Sequence, residues 1–157
     1  MKGKLVLETP YGNLQALHDQ NYVYELILPG STGQLDYPNS VFPLLEEELS
    51  HYLAGFPVKF SVPLSLSGYP PFTLRVLEYL KSIPWGMTVS YGDIASYLGR
   101  PGGARAVGQA VKRNPIPIIV PCHRVIAWNN KLGGFSGRID VKRWLLKLEN
   151  IEIEGDA

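Results

Sequence analysis

The sequence predicts an α/β fold, in which a small N-terminal antiparallel sheet with one helix is followed by a helical C-terminal region. Three observations support this. Residues 4–30 contain short β-rich runs broken by turn-forming residues, and from residue 41 onward apolar side chains recur mainly at helical spacing. Between them the stretch SVPLSLSGYPPF concentrates Pro, Gly and Ser, as linkers do. We therefore predict two lobes, residues 1–66 and residues 67–157.

The composition limits the class of protein. The chain has 157 residues, of which 45% are hydrophobic and 18% charged, and this favours a globular protein over a disordered one. No apolar run approaches the ~20 residues of a membrane span, and the first residues lack the layout of a signal peptide, so we expect a cytoplasmic protein that does not contact membranes. A single cysteine and three scattered histidines give no metal-ligand spacing. We expect no metal and no cofactor.

The charge is distributed unevenly along the chain. Residues 1–72 carry 3 Lys and Arg against 7 Asp and Glu, whereas residues 73–157 carry 12 against 7. The C-terminal part is therefore the candidate for binding a polyanion. A merely solvated basic surface explains the charge alone equally well.

The N-terminal elements follow from local patterns. The run KLVLETPYGNLQALHDQNYVYELILPG reads as three short strands, separated by the turn-forming groups YGN and DQN. The run VFPLLEEELSHYLAGF predicts a helix that covers the sheet and stops at Gly55. Its predicted apolar face consists of Leu44, Leu45, Leu49, Tyr52 and Leu53.

The first C-terminal elements are a long helix and a short one. The run FTLRVLEYLKSI places Phe72, Val76, Leu77 and Leu80 on one helical face, and a turn at Pro84, Trp85 and Gly86 follows. For the short helix around YGDIASYLG, Ser90 is the expected N-cap, with Asp93 three residues later, and Gly99 is the expected stop.

Two more helices complete the chain. ARAVGQAVKRN predicts a helix rich in small residues with basic residues near both ends, and DVKRWLLKLEN predicts a final helix with Asp140 as its N-cap. Since a tight RPGG connection separates ARAVGQAVKRN from the preceding short helix, the pair has a helix-turn-helix pattern.

The run PIIVPCHRVIA contains the only cysteine, Cys122. A thiol with a pKa near ~8.5 needs a base or positive charge nearby to react at neutral pH, and His123 and Arg124 follow directly. A buried structural cysteine suits the apolar IPIIV run equally well. Adjacent side chains on an extended segment point to opposite faces, so Cys122 and His123 would couple through a water or a turn. This geometry disfavours a papain-like thiol hydrolase, which also needs a distant histidine.

The motifs SYGDIA, ARAVGQA, NPIPIIVPCHRVI, GGFSG and the K-x-W-L-L-x-x-E of KRWLLKLE, in this order and spacing, resemble the O6-alkylguanine-DNA alkyltransferases, or methylated-DNA–protein-cysteine methyltransferases. The resemblance covers nearly all of residues 72–151. It implies a ribonuclease-H-like N-terminal lobe and a C-terminal lobe that carries the helix-turn-helix and the thiol. The implied activity is direct, single-use transfer of the alkyl group from O6-alkylguanine, and from O4-alkylthymine, in DNA to Cys122.

The resemblance also implies catalytic roles. Displacing an alkyl group from guanine O6 at an sp3 carbon requires a soft, aligned nucleophile, which a thiolate provides. By resemblance, Cys122 is the acceptor of the alkyl group, and Glu149 orients His123, which takes the thiol proton through a water. The resemblance also implies that Asn114 holds the turn before the active strand and that Tyr91 donates a hydrogen bond to the leaving base. The implied substrate pocket is formed by the backbone of Val125, the amide of Ser136, and the walls Pro117 and Phe135.

The implied partner is double-stranded DNA, bound through its minor groove by a monomer. A base within a duplex must be flipped out to reach a buried thiol. By resemblance, Arg105 fills the gap in the base stack, and the other DNA-binding residues are Ala104, Ala106 and Gly108 for close approach and Lys112 and Arg113 for phosphates. The main alternative is a non-catalytic sensor of alkylated DNA, in which another residue replaces the cysteine; the presence of Cys122 argues against it.

Overall fold

A computed structural model describes residues 1–31, 33–127, 132 and 138–153. Three strands, β1 (Gly3–Thr9), β2 (Gly12–His18) and β3 (Val23–Ile27), form an antiparallel sheet in the order β1-β2-β3. Gly12 begins β2 with a φ of +119°, a conformation that side chains disfavour, and this makes the tight β1-β2 turn possible. The predicted sheet is confirmed.

Helix α1 (Pro43–Leu53) packs against the rest of the core through Leu45, Leu49 and Tyr52, all 0% exposed. The prediction that Leu44 belongs to this face is wrong, because Leu44 is 39% exposed. One residue turns an α-helix by about 100°, so Leu44 lies off the stripe that Leu45 and Leu49 define. Gly55 follows the helix with a φ of +93°, in agreement with the predicted stop.

Two further predicted helices are present. Helix α2 (Pro71–Lys81) buries Val76, Leu77 and Leu80 as expected. Helix α3 (Tyr91–Tyr97) begins with the predicted capping box: Ser90 Oγ accepts from the Asp93 backbone N–H and the Asp93 carboxylate accepts from the Ser90 backbone N–H, each at 3.0 Å. Gly99 ends α3 with a φ of +76°.

Helix α4 (Ala104–Lys112) follows α3 after a short turn and packs against it. The turn is tight at Gly103, where a Cβ would lie 2.8 Å from the carbonyl oxygen of Arg100. A side chain there would force the turn between the two helices to open. Gly103 therefore keeps this connection compact.

Helix α5 (Ile139–Leu148) starts earlier than predicted. Its N-cap is Arg138, and the assignment of Asp140 to that position is wrong. Asp140 lies in the first turn, where its carboxylate accepts from the Arg138 Nε at 3.0 Å and from the Val141 backbone N–H at 2.9 Å. A negative charge in the first turn also complements the helix dipole, which explains why an acidic residue is accommodated there.

The segment around the cysteine is not extended as the sequence suggested. Cys122–Arg124 form a single 3-10 turn, followed by the two-residue strand β5 (Val125–Ile126). Strand β5 pairs in parallel with β4 (Val89–Ser90), which directly precedes α3. The turn and the start of α3 are thereby brought together.

The core is continuous from the sheet to the C-terminal helices. Buried apolar side chains from β3, α1, α2, α4 and α5 belong to one cluster, represented by Leu26, Tyr52, Leu77, Val107 and Leu145. No helix in the part of the chain that the structure describes is long and apolar enough to cross a membrane.

Candidate active site

Cys122 lies in the 3-10 turn with only 3% of its surface exposed. Its backbone N–H donates to the carbonyl of Val120 at 2.7 Å, which closes the chain tightly before the thiol. Burial raises the pKa of the Cys122 thiol, while a hydrogen bond from Asn114 and the charge of Lys142 act in the opposite direction. The thiol is therefore protonated at rest and lies near groups that stabilise its anion.

Asn114 holds the segment that leads into this turn. Its Nδ2 donates to the Val120 carbonyl at 2.7 Å, and its Oδ1 accepts from the Ile116 backbone N–H at 3.0 Å. Between these two anchors Ile118 has a φ of +73°, which is strained for a β-branched residue. The two bonds of one amide thus support a turn that its own sequence disfavours.

Glu149, at the C-terminal end of α5, is 1% exposed and accepts hydrogen bonds from four residues. Oε2 accepts from His123 Nε2 at 2.6 Å, from the Tyr52 hydroxyl at 2.5 Å and from Arg124 Nη2 at 3.1 Å. Oε1 accepts from Arg124 Nε at 2.8 Å and from the Gly86 backbone N–H at 2.9 Å. Burial alone would raise its pKa, but the hydrogen bond and charge of His123, and the hydrogen bonds from Arg124 and the Gly86 N–H, lower the pKa of Glu149 to about 2.

His123 is fully buried and its protonation is set by Glu149. Because an ionised carboxylate only accepts, the Nε2 atom of His123 carries the hydrogen and Nδ1 carries the lone pair. Among the described residues, none offers Nδ1 a hydrogen-bond partner. Burial lowers the pKa of His123, and the nearby charges of Arg124 and Lys142 add to this, although Glu149 opposes them. His123 is therefore a neutral imidazole whose Nδ1 can accept a proton, and it directly follows Cys122 in the sequence.

Two members of this cluster were not assigned a role from the sequence. Tyr52 comes from α1 and lies 97 residues before Glu149, so only its burial could be predicted, from the helical spacing of Leu45, Leu49 and Tyr52. Arg124 was noted only as a charge beside the thiol; its Nη1 also donates to the carbonyl of Ile83 at 2.6 Å.

Lys142 is a further buried cation that sequence reasoning missed. Its Nζ donates to the carbonyls of Val125 at 2.9 Å and Leu132 at 2.5 Å. Burial lowers the pKa of Lys142 to about 8, with the Cys122 thiolate acting in the opposite direction. The signal was present, since Lys142, Leu145, Leu146 and Glu149 follow the i, i+3, i+4, i+7 pattern of one buried helix face.

Tyr91 is brought close to the thiol by the β4–β5 pair. It begins α3 directly after Ser90, whose partner in the pair is Ile126. Burial raises the pKa of the Tyr91 phenol, and the charge of Cys122 raises it further. A Cβ on Gly108 of α4 would lie 3.9 Å from two carbons of the Tyr91 ring. This is an ordinary van der Waals distance, so Gly108 of α4 and Tyr91 of α3 are close neighbours.

The predicted substrate-pocket residues are only partly described. Pro117 and Val125 are buried, and the Val125 carbonyl already accepts from Lys142 with one of its two lone pairs. Ser136 and Phe135 lie outside the described residues. Within the described ranges, no group of three His, Cys, Asp or Glu side chains could hold a metal ion.

The predicted DNA-binding residues lie on or just after α4. Arg105, Lys112 and Arg113 are exposed, and Ala104, Ala106 and Gly108 are half-buried. Val107 and Ala110, 0% and 3% exposed, form the opposite face against the core. Helix α4 therefore has one anchored apolar face and one accessible face that carries positive charge.

The chain is similar to known proteins in sequence and in fold. Residues 71–151 match the family model described as 6-O-methylguanine DNA methyltransferase, DNA binding domain. The constitutive methylated-DNA–protein-cysteine methyltransferase of Bacillus subtilis is 41% identical over 155 residues, covering 92% of this chain and 93% of that protein. A crystal structure of Mycobacterium tuberculosis OGT in complex with DNA matches with a TM-score of 0.83 and 41% identity, covering 92% and 90% of the two chains. A structure of Mycobacterium tuberculosis O6-methylguanine methyltransferase matches with a TM-score of 0.84 and 39% identity, covering 95% and 93%.

Proposed function

The chain belongs to the family of methylated-DNA–protein-cysteine methyltransferases, and from this premise we propose that Cys122 accepts the alkyl group of O6-alkylguanine in DNA. The protein is a direct-repair methyltransferase whose partner is DNA. The observation that carries the assignment of Cys122 is the buried relay beside it, in which Glu149 fixes His123 so that Nδ1 is the basic nitrogen. O4-alkylthymine, which carries the same kind of alkyl–oxygen bond, is a second proposed substrate.

The chemical steps balance with the groups of this site. The Cys122 S–H proton passes to His123 Nδ1 through a water, and the imidazolium is stabilised by Glu149. The sulfur electron pair forms a bond to the alkyl carbon while the carbon–O6 bond breaks, leaving its electron pair on guanine. Tyr91 donates a hydrogen bond to the departing base, the base takes a proton from water, and His123 returns the proton it took from the thiol, so that guanine and the imidazole both end neutral. Because the product is an unactivated thioether, each molecule acts once.

The remaining site residues are proposed to position the base. Asn114 holds the turn that aims Cys122, and its two hydrogen bonds support this role. The Val125 backbone, with one carbonyl lone pair not used by Lys142, and the Ser136 amide recognise the purine edge. Pro117 and Phe135 form the walls of the pocket.

The DNA-binding mode is proposed from the shape of α4. Helices α3 and α4 act as a helix-turn-helix whose second helix enters the minor groove of double-stranded DNA, where Ala104, Ala106 and Gly108 permit a close approach. Arg105 replaces the flipped nucleotide in the stack, and Lys112 and Arg113 contact phosphates. The exposure of the three basic side chains supports these roles. We also propose a monomer in the cytoplasm, with a ribonuclease-H-like lobe ending near residue 66.

A non-catalytic sensor of alkylated DNA is the other candidate. Such a protein needs the binding surface of α4 but has no use for an activated thiol. The presence of Cys122 beside a Glu149–His123 pair disfavours this candidate.

The test is mass spectrometry after mixing the protein with a duplex that contains O6-methylguanine. We expect the peptide that carries Cys122 to gain the mass of one methylene, and no more than one lesion to be repaired per protein molecule. Cys122→Ser is the control and should bind the duplex without repairing it. Sustained multiple turnover, or methylation of another residue, would contradict the assignment.

A further inference from the structure

The hydroxyl of Tyr52 and the imidazole of His123 both contact the same carboxylate oxygen, Oε2 of Glu149. It lies 2.5 Å from Glu149 Oε2 and 3.0 Å from His123 Nε2, while His123 Nε2 itself lies 2.6 Å from the same Oε2. Since the ionised carboxylate can only accept, both the phenol and the imidazole must donate to it. Tyr52 and His123 therefore compete for one carboxylate oxygen, which also accepts from Arg124 Nη2 at 3.1 Å.

This competition affects the protonated imidazolium form of His123 more than its neutral imidazole form. A hydrogen bond to a carboxylate is charge-assisted, so the phenol withdraws negative charge from Oε2. An imidazolium depends on this charge more strongly than a neutral imidazole does. The Tyr52 hydroxyl thus lowers the affinity of His123 for a second proton, and this makes the thiolate–imidazolium pair less favourable than the neutral pair.

We propose that Tyr52 is a positioning residue that acts through Glu149 to keep His123 neutral and Cys122 in its thiol form until the substrate base is bound. The proposal rests on the alkyl-transfer function proposed above. A protein that uses its only thiol once would be inactivated by any other electrophile that reached a thiolate. A restraint on thiolate formation therefore protects its single use.

The other charged groups around this pair act on it as well. Arg124, on the 3-10 turn, and Lys142, on α5, are cations that also disfavour the imidazolium, and burial does the same. Tyr91, on α3, faces Cys122. All of these groups are unchanged when only the hydroxyl of Tyr52 is removed, so a comparison with Tyr52→Phe isolates that hydroxyl.

The experiment measures the pH dependence of Cys122 alkylation by iodoacetamide, followed by mass spectrometry of its peptide. In Tyr52→Phe the ring can keep its packing on Phe60 and His123, whose centroids lie 6.0 Å and 6.2 Å away. We expect the midpoint of the profile to fall by about 0.5 to 1 pH unit, which is roughly a three- to tenfold faster alkylation on the acidic limb.

A second variant is expected to shift the midpoint of Cys122 alkylation in the opposite direction. Tyrosine fluorinated at ring position 3, incorporated at residue 52, is more acidic and donates more strongly, and we expect it to raise the midpoint. The matched control is Tyr24→Phe, because the Tyr24 hydroxyl donates to the Asp19 carboxylate at 2.6 Å in a different part of the fold. It should leave the midpoint unchanged.

Three results would overturn the proposal: an unchanged midpoint in Tyr52→Phe, a midpoint that rises, or a fluorotyrosine midpoint that does not move upward. Lower thermal stability with an unchanged midpoint would mean that Tyr52 only supports the fold. Iodoacetamide reports on the thiol whether or not Cys122 accepts alkyl groups from DNA. The outcome is therefore independent of the methyl-transfer test above.

Discussion

Replacing Glu149 by Gln tests how much of the fold depends on the buried cluster. The substitution keeps the size of the side chain but exchanges one acceptor oxygen for an NH2 group. That group would face donors that now point at Glu149, namely the Arg124 guanidinium, the Tyr52 hydroxyl, His123 Nε2 and the Gly86 N–H. It would also remove the carboxylate that pairs with the buried guanidinium of Arg124.

The size of the effect follows from two separate arguments. The gap between the ordinary carboxyl pKa of 4.5 and the value of about 2 for Glu149 corresponds, at about 1.4 kcal/mol per pH unit, to roughly 3 kcal/mol of stability. Removing one partner of a buried ion pair costs about 3 to 5 kcal/mol. We therefore expect Glu149→Gln to lose about 3 to 4 kcal/mol at pH 7, and its Tm to fall by about 6 to 16 °C.

The pH dependence distinguishes this mechanism from simple repacking. A carboxyl group whose pKa is lowered on folding contributes its full stabilisation above its unfolded value, and the contribution is lost as the pH falls through the folded value. Between about pH 5 and pH 3 the difference in unfolding free energy between wild type and Glu149→Gln should therefore shrink. Urea unfolding followed by circular dichroism at several pH values measures this difference.

The control for this experiment is Glu46→Gln, an exposed position in the first turn of α1. It should change the unfolding free energy by no more than about 0.5 kcal/mol at any pH. A loss below about 1 kcal/mol in Glu149→Gln, or a loss that does not vary between pH 7 and pH 3, would refute the reasoning.

Two other substitutions test the turn and the DNA-binding helix. Asn114→Ala removes both anchors of the strained turn and the hydrogen bond that favours the thiolate, so the iodoacetamide midpoint of Cys122 should rise and about 2 kcal/mol of stability should be lost; an unchanged midpoint would contradict this role. Arg105→Ala should slow repair of a paired lesion in duplex DNA at least tenfold more than transfer from free O6-benzylguanine, and a mispaired lesion should recover part of the loss because its base is easier to unpair. In single-turnover assays, an equal loss on both substrates would mean that Arg105 supports the fold instead of base flipping.

Local patterns determined most of the elements. The three strands, the capping box of α3, and the stops at Gly55 and Gly99 were readable because each depends on residues within a few positions of one another. The errors at Leu44 and Asp140 are of the same local kind. Leu44 directly precedes Leu45, which was correctly predicted to be buried, and a shift of one residue changes the face of the helix. Asp140 lies at the start of α5, where a shift of two residues changes which side chain is the N-cap.

The family could also be predicted from the sequence, because the motifs around Cys122 and Glu149 are contiguous and specific. The sequence could not show that Cys122 begins a 3-10 turn. It also could not show that the amide of Asn114 holds Ile116 and Val120, on either side of the positive-φ residue Ile118. Nor could it assign the hydroxyl of Tyr52 to Glu149 across 97 positions, or direct Lys142 towards the carbonyl of Val125. A buried polar group takes its partner from whichever elements pack around it, and only the tertiary structure decides which elements those are.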